Sequence, residues 1–371
     1  MDRLERLADS IAKIPHIPLT AAEQYRFSQE LLITRQNELL QSRKDLAELL
    51  GGSHVNVMLD NHRNHVLFMA NVLRYNQFGL LLKVSIWAYR SYHQHGFSYD
   101  YFQVALSCWQ ETMHDILPAQ AAKLIVPLYQ WLADRHQELV DCAEDTQTAL
   151  FSLQEDGDEL QEVFLGFILH GNEKACLGLM DELIATPGDL CGFYIHILQP
   201  CLKRIGELWE RGQISVALEH MASAIIHRLI SCQYARHVMT PQTQGTAVIA
   251  AAQNELHDIG ARIVSDILEM EGWKVYFVGA NTPNRELMKL ILDVRPDLLG
   301  ISVVVPIHLL HVEELIRQIR ADVTLSRMNI MVGGPAFVIS ENLWRQIGAD
   351  ALVMNGTDAA QYAGGCWQRC K

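Results

Sequence analysis

A run of six residues that follows a predicted strand contains side chains that suit a metal site. Glu255, His257 and Gly260 lie in the run Glu-Leu-His-Asp-Ile-Gly, between a predicted strand over 246–252 and a predicted helix over 261–270. In an open α/β sheet, ligands bind at the carboxyl ends of the strands. Imidazole ligates metals through one nitrogen, and a carboxylate on the other nitrogen sets its tautomer and basicity. The alternative is a capped helix start with a surface histidine.

The run resembles the Asp-x-His-x-x-Gly signature of cobalamin-binding domains, with Glu255 in the aspartate position. In that family the histidine ligates cobalt from below and displaces the cofactor's own dimethylbenzimidazole. The resemblance implies that His257 is the lower cobalt ligand and that Glu255 is its hydrogen-bond partner. It implies further that Gly260 lets the cofactor approach closely, and that Asp258 and Ile259 belong to the same binding run.

The region from residue 244 onward alternates strands and helices. The predicted strands are rich in Val, Ile and Leu and cover 246–252, 274–278, 298–305, 329–332 and 351–354. Such alternation predicts a parallel, doubly wound sheet, and five strands fit a flavodoxin-like order with a ligand at the switch point.

Three further pairs at strand ends are similar to elements of the same family. Ser302-Val303 ends the third strand in the place of the family's Ser-x-Leu, whose serine binds the buried nucleotide tail. Gly333-Gly334 ends the fourth strand, where two residues without Cβ let the backbone press against the inserted dimethylbenzimidazole. Gly356-Thr357 follows the fifth strand, as in the family. With these elements the resemblance covers residues 148–365.

Residues 158–239 read as four helical segments separated by glycine and proline. The segments are 158–170, 172–186, 190–211 and 215–239. Four short helices joined by tight turns predict a four-helix bundle.

The last two of these helices carry a tryptophan, a glutamate and a histidine in the spacing Trp-x9-Glu-His. The residues are Trp209, Glu219 and His220, and Val216 lies in the same turn. This spacing resembles the cap over the upper cobalamin face in CarH-type light-dependent repressors, where the tryptophan and its partners shield the adenosyl group. An indole suits that role because it covers a broad area rigidly and still offers a donor. The alternative is an ordinary Glu–His pair on a helix surface.

Glu210 departs from the pattern of those repressors. They carry a histidine directly after the tryptophan, and it takes the upper cobalt position after photolysis. A bis-histidine light state through this position is therefore not available here.

Residues 1–147 predict an all-helical module that is bundle-like or globin-like. Helices are expected over 23–50, 54–92, 102–116 and 119–140, with Pro127 kinking the last one or marking its start. An aromatic patch from Trp87 to Trp109 either lines a pocket for a flat ligand or simply forms the core. A helical module before a cobalamin unit resembles the photocobilins, which implies a bilin such as biliverdin. Cys108 and Cys142 are then attachment points or, alternatively, buried structural thiols.

Composition excludes several classes of function. The net charge is −13 and the eight cysteines are scattered, so direct nucleic-acid binding, a zinc site and an oxidising compartment are disfavoured. We find no apolar run long enough for a membrane span and no signal peptide, and we therefore expect a cytoplasmic protein.

These patterns lead to one functional hypothesis and one alternative. The domains are predicted as a helical module over 1–147, a four-helix-bundle cap over 148–243 and a Rossmann-like cobalamin domain over 244–371. We expect a photoreceptor that holds adenosylcobalamin and signals through a homo-oligomer or a protein partner, and that is not an enzyme. The alternative is a corrinoid methyl carrier serving a methyltransferase. A mutase or another adenosylcobalamin radical enzyme is not expected, because the remaining residues are too few for its substrate barrel.

Overall fold

The computed structural model describes residues 3–145, 159–238, 241–338 and 342–370. For residues 369 and 370 it describes the backbone alone. The chain divides into two compact units. The N-terminal unit is Met1–Leu153 with Glu207–Gln213, and the C-terminal unit is Gln154–Gly206 with Ile214–Lys371. Of the helices in the described ranges, none has the length and apolar character needed to cross a bilayer.

The N-terminal unit is helical where it is described, which confirms the predicted class. Its helices are α1 (Arg3–Ile11), α2 (Leu19–Phe27), α3 (Gln29–Gln41), α4 (Leu46–Leu50), α5 (Val55–Tyr75), α6 (Phe78–Gln94), α7 (Asp100–Ile116), α8 (Ala119–Asp134) and α9 (His136–Glu144).

Three long predicted helices of this unit, those over 23–50, 54–92 and 119–140, were wrong, because each is broken into shorter ones. The helix predicted over 54–92 is broken at Asn76, whose φ of 53° is left-handed. Its side chain accepts a hydrogen bond from the backbone N–H of Ile17 at 2.6 Å and donates one to the Ile17 carbonyl at 3.2 Å. This contact between distant segments stabilises a conformation that ends α5. Pro127, in contrast, lies inside α8, which begins directly after Pro118.

The helices that precede the sheet begin at positions that the sequence marks with capping residues. Asn172, Thr186 and Ser215 each accept a hydrogen bond from the backbone of the following turn. The segment between Thr186 and the end of α13 runs through one π-helical turn without a break. The elements are α10 (Glu159–Leu169), α11 (Glu173–Leu183), α12 (Pro187–Phe193), the π-turn Tyr194–Leu198, α13 (Gln199–Glu210) and α14 (Val216–His237).

A five-stranded parallel sheet follows, in the order β2-β1-β3-β4-β5, and confirms the predicted flavodoxin-like class. The strands are β1 (Thr246–Ala251), β2 (Lys274–Gly279), β3 (Leu298–Ser302), β4 (Asn329–Gly333) and β5 (Ala351–Val353). The connecting elements are α15 (Ile259–Met270), α16 (Asn284–Val294), a 3₁₀ turn (Pro306–His308), α17 (Leu309–Ala321), α18 (Pro335–Val338), α19 (Leu343–Gln346) and α20 (Gly356–Cys370).

The central strands are mostly apolar and buried, as expected for a parallel sheet with helices on both faces. Ala247, Ile249, Leu298 and Met331 are among the buried core residues that β1, β3 and β4 contribute. The order reverses between β1 and β3, so the crevice for a ligand lies where the loops after these two strands meet.

Candidate cofactor site at the carboxyl end of the sheet

The loop after β1 buries Glu255 and exposes His257. The side chain of Glu255 is 1% exposed and that of His257 is 58% exposed. His257 Nδ1 lies 2.5 Å from Glu255 Oε1, which also accepts the backbone N–H of His257 at 3.2 Å. The structure therefore brings the two predicted residues together, with the imidazole at the surface of the crevice.

The second carboxylate oxygen of Glu255 connects this loop to the loop after β3. Oε2 accepts the backbone N–H groups of Val304 at 2.8 Å and of Val305 at 2.9 Å. One side chain thus links the two loops that flank the switch point. The sequence did not indicate these contacts, because the partners are about 50 residues away and act through their backbone.

The hydrogen bonds of Glu255 also decide its charge. Burial alone would raise its pKa, but the hydrogen bonds from His257 and from the Val305 N–H hold the pKa below the ordinary value. The hydrogen bond to Glu255 in turn raises the pKa of His257 against the effect of burial. Because Glu255 is an ionised acceptor at neutral pH, Nδ1 of His257 is the donor and Nε2 is the nitrogen left to bind a ligand.

The next three residues of the run, 258–260, differ in their exposure and in their neighbours. Asp258 Oδ1 lies 3.3 Å from Nε2 of His227 on α14. Ile259 is 8% exposed and belongs to the core. A Cβ built on Gly260 would meet no heavy atom within 4 Å, so an approaching ligand would have free space there.

The other predicted glycines have reasons within the protein itself. A Cβ on Gly333 would lie 2.9 Å from the Val353 carbonyl oxygen. Gly334 has φ +101°, and its Cβ would lie 2.3 Å from the carbonyl oxygen of Val303. A Cβ on Gly356 would lie 2.2 Å from Ile267 Cδ1. Contact with a cofactor is therefore not needed to explain these three glycines, although our sequence argument gave it as the reason for Gly333 and Gly334.

Ser302, Val303 and Thr357 lie at the same edge of the sheet. The carbonyl of Ser302 accepts the backbone N–H of Ala252 at 3.0 Å, and Ser302 is half-buried at the end of β3. Val303 is fully buried, whereas Thr357 is exposed in the first turn of α20.

Among the predicted cap residues, Glu219 lies in electrostatic range of the imidazole. Its charge helps to raise the pKa of His257. Glu219 Oε1 accepts a hydrogen bond from Ser223 Oγ at 2.9 Å, and its other oxygen lies 3.4 Å from Nε2 of His220. The side chain of His220 is 74% exposed, and Val216 is 53% exposed at the start of α14.

Trp209 belongs to the N-terminal unit by its contacts. Its ring centroid lies 5.2 Å from that of His95, which follows α6. Glu210, in the position of the repressors' upper histidine, is bound to Arg90 through Nη1 and Oε1 at 3.0 Å, and each side chain is 8% exposed. The motif did not reveal this ion pair, because its partner lies 120 residues earlier in the chain.

His308 is a further histidine near the pair that sequence reasoning did not single out. It lies in the 3₁₀ turn after β3 and is 8% exposed. Burial lowers its pKa, while the charge of Glu255 acts in the opposite direction. Its position shortly after the third predicted strand could have indicated that His308 lies near the candidate site.

The aromatic patch of the N-terminal unit packs against itself. The rings of Tyr89 and Phe102 are stacked with centroids 3.9 Å apart, and Trp109 stacks on His65 at 4.9 Å. Nearby, Nδ1 of His62 donates a hydrogen bond to Asn37 Oδ1 at 2.6 Å, and Nε2 of His62 lies 3.0 Å from the Tyr101 hydroxyl. This packing favours the alternative that these residues form a core.

Two stretches of the chain match family models for B12-binding domains. Residues 245–363 match one model, and residues 160–232 match a second model with the same description. The chain is a cobalamin-binding protein. The first match contains the Glu255–His257 pair, and the second contains the cap residues Trp209, Glu219 and His220.

The chain is similar both to corrinoid proteins and to a transcriptional repressor. Dimethylamine corrinoid protein 3 of Methanosarcina acetivorans is 26% identical over 198 residues, which are 53% of this chain and 87% of the relative. The HTH-type transcriptional repressor CarH of Myxococcus xanthus is 32% identical over 127 residues, which are 34% of this chain and 41% of the relative. Among solved structures, the monomethylamine corrinoid protein of Methanosarcina barkeri aligns with a TM-score of 0.48 at 20% identity, covering 56% of this chain and 96% of that one.

Proposed function

We propose that the protein holds cobalamin with the dimethylbenzimidazole displaced and His257 as the lower cobalt ligand. The observation that carries this proposal is the Glu255–His257 pair at the switch point, with Nδ1 and Oε1 2.5 Å apart. The residues fit the group, because Glu255 orients the ring so that Nε2 is the ligating nitrogen, and the space beside Gly260 is free of protein atoms. By the family resemblance, Ser302, Val303 and the glycines at the strand ends hold the nucleotide tail.

We propose further that the bound form is adenosylcobalamin and that the protein is a light sensor. The cofactor supplies a cobalt–carbon bond that visible light breaks. Trp209, Val216, Glu219 and His220 form the cap over the upper face in this proposal, and the similarity to the repressor CarH supports it. Illumination then changes the cap, and the signal passes through a change in oligomer or protein partner rather than through catalysis.

The test compares absorption spectra and sizing chromatograms of the loaded protein in darkness and after illumination. We expect a cobalamin spectrum without the dimethylbenzimidazole on cobalt, and a change in spectrum and assembly after light. His257→Ala should lose the histidine-ligated spectrum, whereas His170→Ala, which removes an exposed histidine directly after α10, should keep it. A His257→Ala protein with an unaltered spectrum would refute the ligand assignment, and an adenosyl complex indifferent to light would refute the sensor.

A corrinoid methyl carrier is the second candidate function. It is favoured by the similarity to dimethylamine corrinoid protein 3, of which the alignment covers 87%. The lower histidine serves both functions, so the cap must distinguish them. A methyl-loaded protein that donates its methyl group to a thiol or pterin acceptor would favour the carrier.

A bilin in the N-terminal unit is the most specific part of the proposal and rests on the resemblance to photocobilins. Cys108 is 9% exposed and Cys142 is 2% exposed, so covalent attachment at either thiol would require the surrounding helices to open. Incubation with biliverdin, followed by denaturing electrophoresis and absorption spectroscopy, tests for both bound and attached bilin. A protein without a red-absorbing band would remove the bilin from the proposal.

A further inference from the structure

The end of α13 has contacts that the cap motif alone does not explain. Helix α13 is continuous from Gln199 to Glu210, yet its last residues belong to the N-terminal unit with the turn that follows. Trp209 contacts His95 through its ring, and a Cβ on Gly212 would lie 3.3 Å from Cβ of Gln94. The cap tryptophan is thus packed on the carboxyl end of α6.

Arg90 and Glu210 form a buried ion pair at the end of α13. The Nη1–Oε1 distance is 3.0 Å and both side chains are 8% exposed, so the pair is removed from water. A buried carboxylate beside a guanidinium keeps one geometry, because either charge alone would be left uncompensated. Glu210 follows Trp209 directly, and the ion pair therefore fixes the residue beside the tryptophan.

The same guanidinium also binds the last turn of α9. Its Nε donates to the carbonyl of Ala143 at 2.9 Å, and Nη2 donates to the carbonyls of Cys142 at 3.3 Å and of Asp145 at 3.1 Å. Carbonyls in the last turn of a helix lack helical partners, and an arginine is well suited to bind them. Arg90 therefore connects three elements, namely α6, the end of α9 and the end of α13.

We propose that Arg90 and Glu210 are positioning residues for the Trp209 cap and transmit its displacement to α6 and α9. The ion pair connects residue 210 with α6 and α9 inside the N-terminal unit. A histidine at position 210 would not provide this connection, because it would leave Arg90 without its carboxylate. The inference rests on the proposed function, since it assumes that Trp209 moves when the cofactor binds or reacts.

Hydrogen–deuterium exchange of the full chain tests this proposal in the apo form, loaded with adenosylcobalamin in darkness, and after illumination. In the wild type we expect exchange in residues 90–94 and 136–144 to change on loading or illumination. In the double variant Arg90→Met/Glu210→Met, which removes both charges together, we expect cobalamin binding to persist and the response of these two segments to fall at least fivefold. The matched control is Arg35→Met, which breaks a surface ion pair with Asp115 at 2.8 Å in the same unit.

The outcomes separate the two proposals. A double variant that still binds cobalamin and shows the wild-type response in both segments would overturn the coupling role. A wild type that binds cobalamin without any change in these segments would overturn it as well. If the wild type does not bind cobalamin, the proposed function falls and the inference falls with it. Melting curves of each variant identify one that is unfolded, and Arg90→Leu/Glu210→Leu, which removes the same two charges, then replaces the double variant.

Discussion

Replacing Glu255 by glutamine should separate the orientation of His257 from the stability of the fold. The carboxylate accepts hydrogen bonds on both oxygens, from His257 on one and from Val304 and Val305 on the other. In Glu255→Gln the amide oxygen retains the backbone contacts, and the NH₂ group then faces Nδ1. That geometry favours the tautomer with a proton on Nε2, which is the nitrogen needed for the cobalt.

The expected loss follows from the role of such partners in metal sites. Removing the partner of a ligating histidine typically weakens metal binding by about 10- to 100-fold, which is about 1.4–2.7 kcal/mol. The apo protein should lose only about 1–2 kcal/mol of stability, because most of the hydrogen bonds persist. Glu255→Ala, in contrast, leaves the N–H groups of Val304 and Val305 without their acceptor and should cost about 3–5 kcal/mol.

Spectroscopic titration with cobalamin and thermal unfolding of the apo protein measure the two effects separately. Asp297→Asn is the matched control, because Asp297 accepts the Thr246 N–H at 2.8 Å at the opposite end of β1. It should lower stability and leave the cobalamin spectrum unchanged. If Glu255→Gln binds cobalamin as tightly as the wild type, with the same spectrum, the orienting role of Glu255 is refuted.

Three further predictions concern stability, each followed by circular dichroism or tryptophan fluorescence. Gly334→Ala should destabilise by about 2–3 kcal/mol or more, because its Cβ would lie 2.3 Å from a backbone oxygen at φ +101°. Gly260→Ala should change the free energy of unfolding by less than about 1 kcal/mol, because its Cβ would meet no heavy atom within 4 Å. Equal losses of stability in Gly334→Ala and Gly260→Ala would contradict this reasoning. Burial lowers the pKa of His62 to about 4 and of His65 to about 3. Because these histidines are neutral in the folded protein, their contribution to the free energy of unfolding is complete above about pH 6.5 and falls with the pH. For His62 the loss is about 3 kcal/mol at pH 4. A free energy of unfolding from urea titrations that stays constant between pH 6.5 and pH 4 would contradict this prediction. Burial raises the pKa of Asp266 to about 6, so its stabilisation is lost as the pH rises through 6. Asp266→Asn should therefore gain about 3 kcal/mol relative to the wild type between pH 4 and pH 8, and a pH-independent difference would refute it.

Local patterns predicted the sheet and most helix starts well, because they depend on nearby residues. Most strand residues are apolar and buried, and Ser215 caps α14 through its own side chain. The breaks in the N-terminal unit were missed for the opposite reason. Asn76 is held in its left-handed conformation by Ile17, 59 residues earlier, and no pattern around Asn76 contains that contact.

The same distinction applies to the candidate site. Glu255 and His257 are two residues apart, so their contact was accessible from the run itself. The contacts that link the loop to Val304 and Val305 depend on how β1 and β3 lie side by side. The glycines were recognised as necessary but for a different reason, because distances such as that from Gly334 to the Val303 carbonyl appear only once the strands are paired.

Residue 210 is engaged in an ion pair that the local sequence does not reveal. Glu210 is bound to Arg90 at 3.0 Å, so its carboxylate is engaged within the N-terminal unit. A histidine there would remove the carboxylate that compensates a buried guanidinium, which ties the identity of residue 210 to Arg90. The exposed histidine of the motif is His220, beside Glu219 on α14. In our proposal Trp209, Val216, Glu219 and His220 carry the difference between a sensor and a carrier, and the comparison of dark and illuminated spectra tests them.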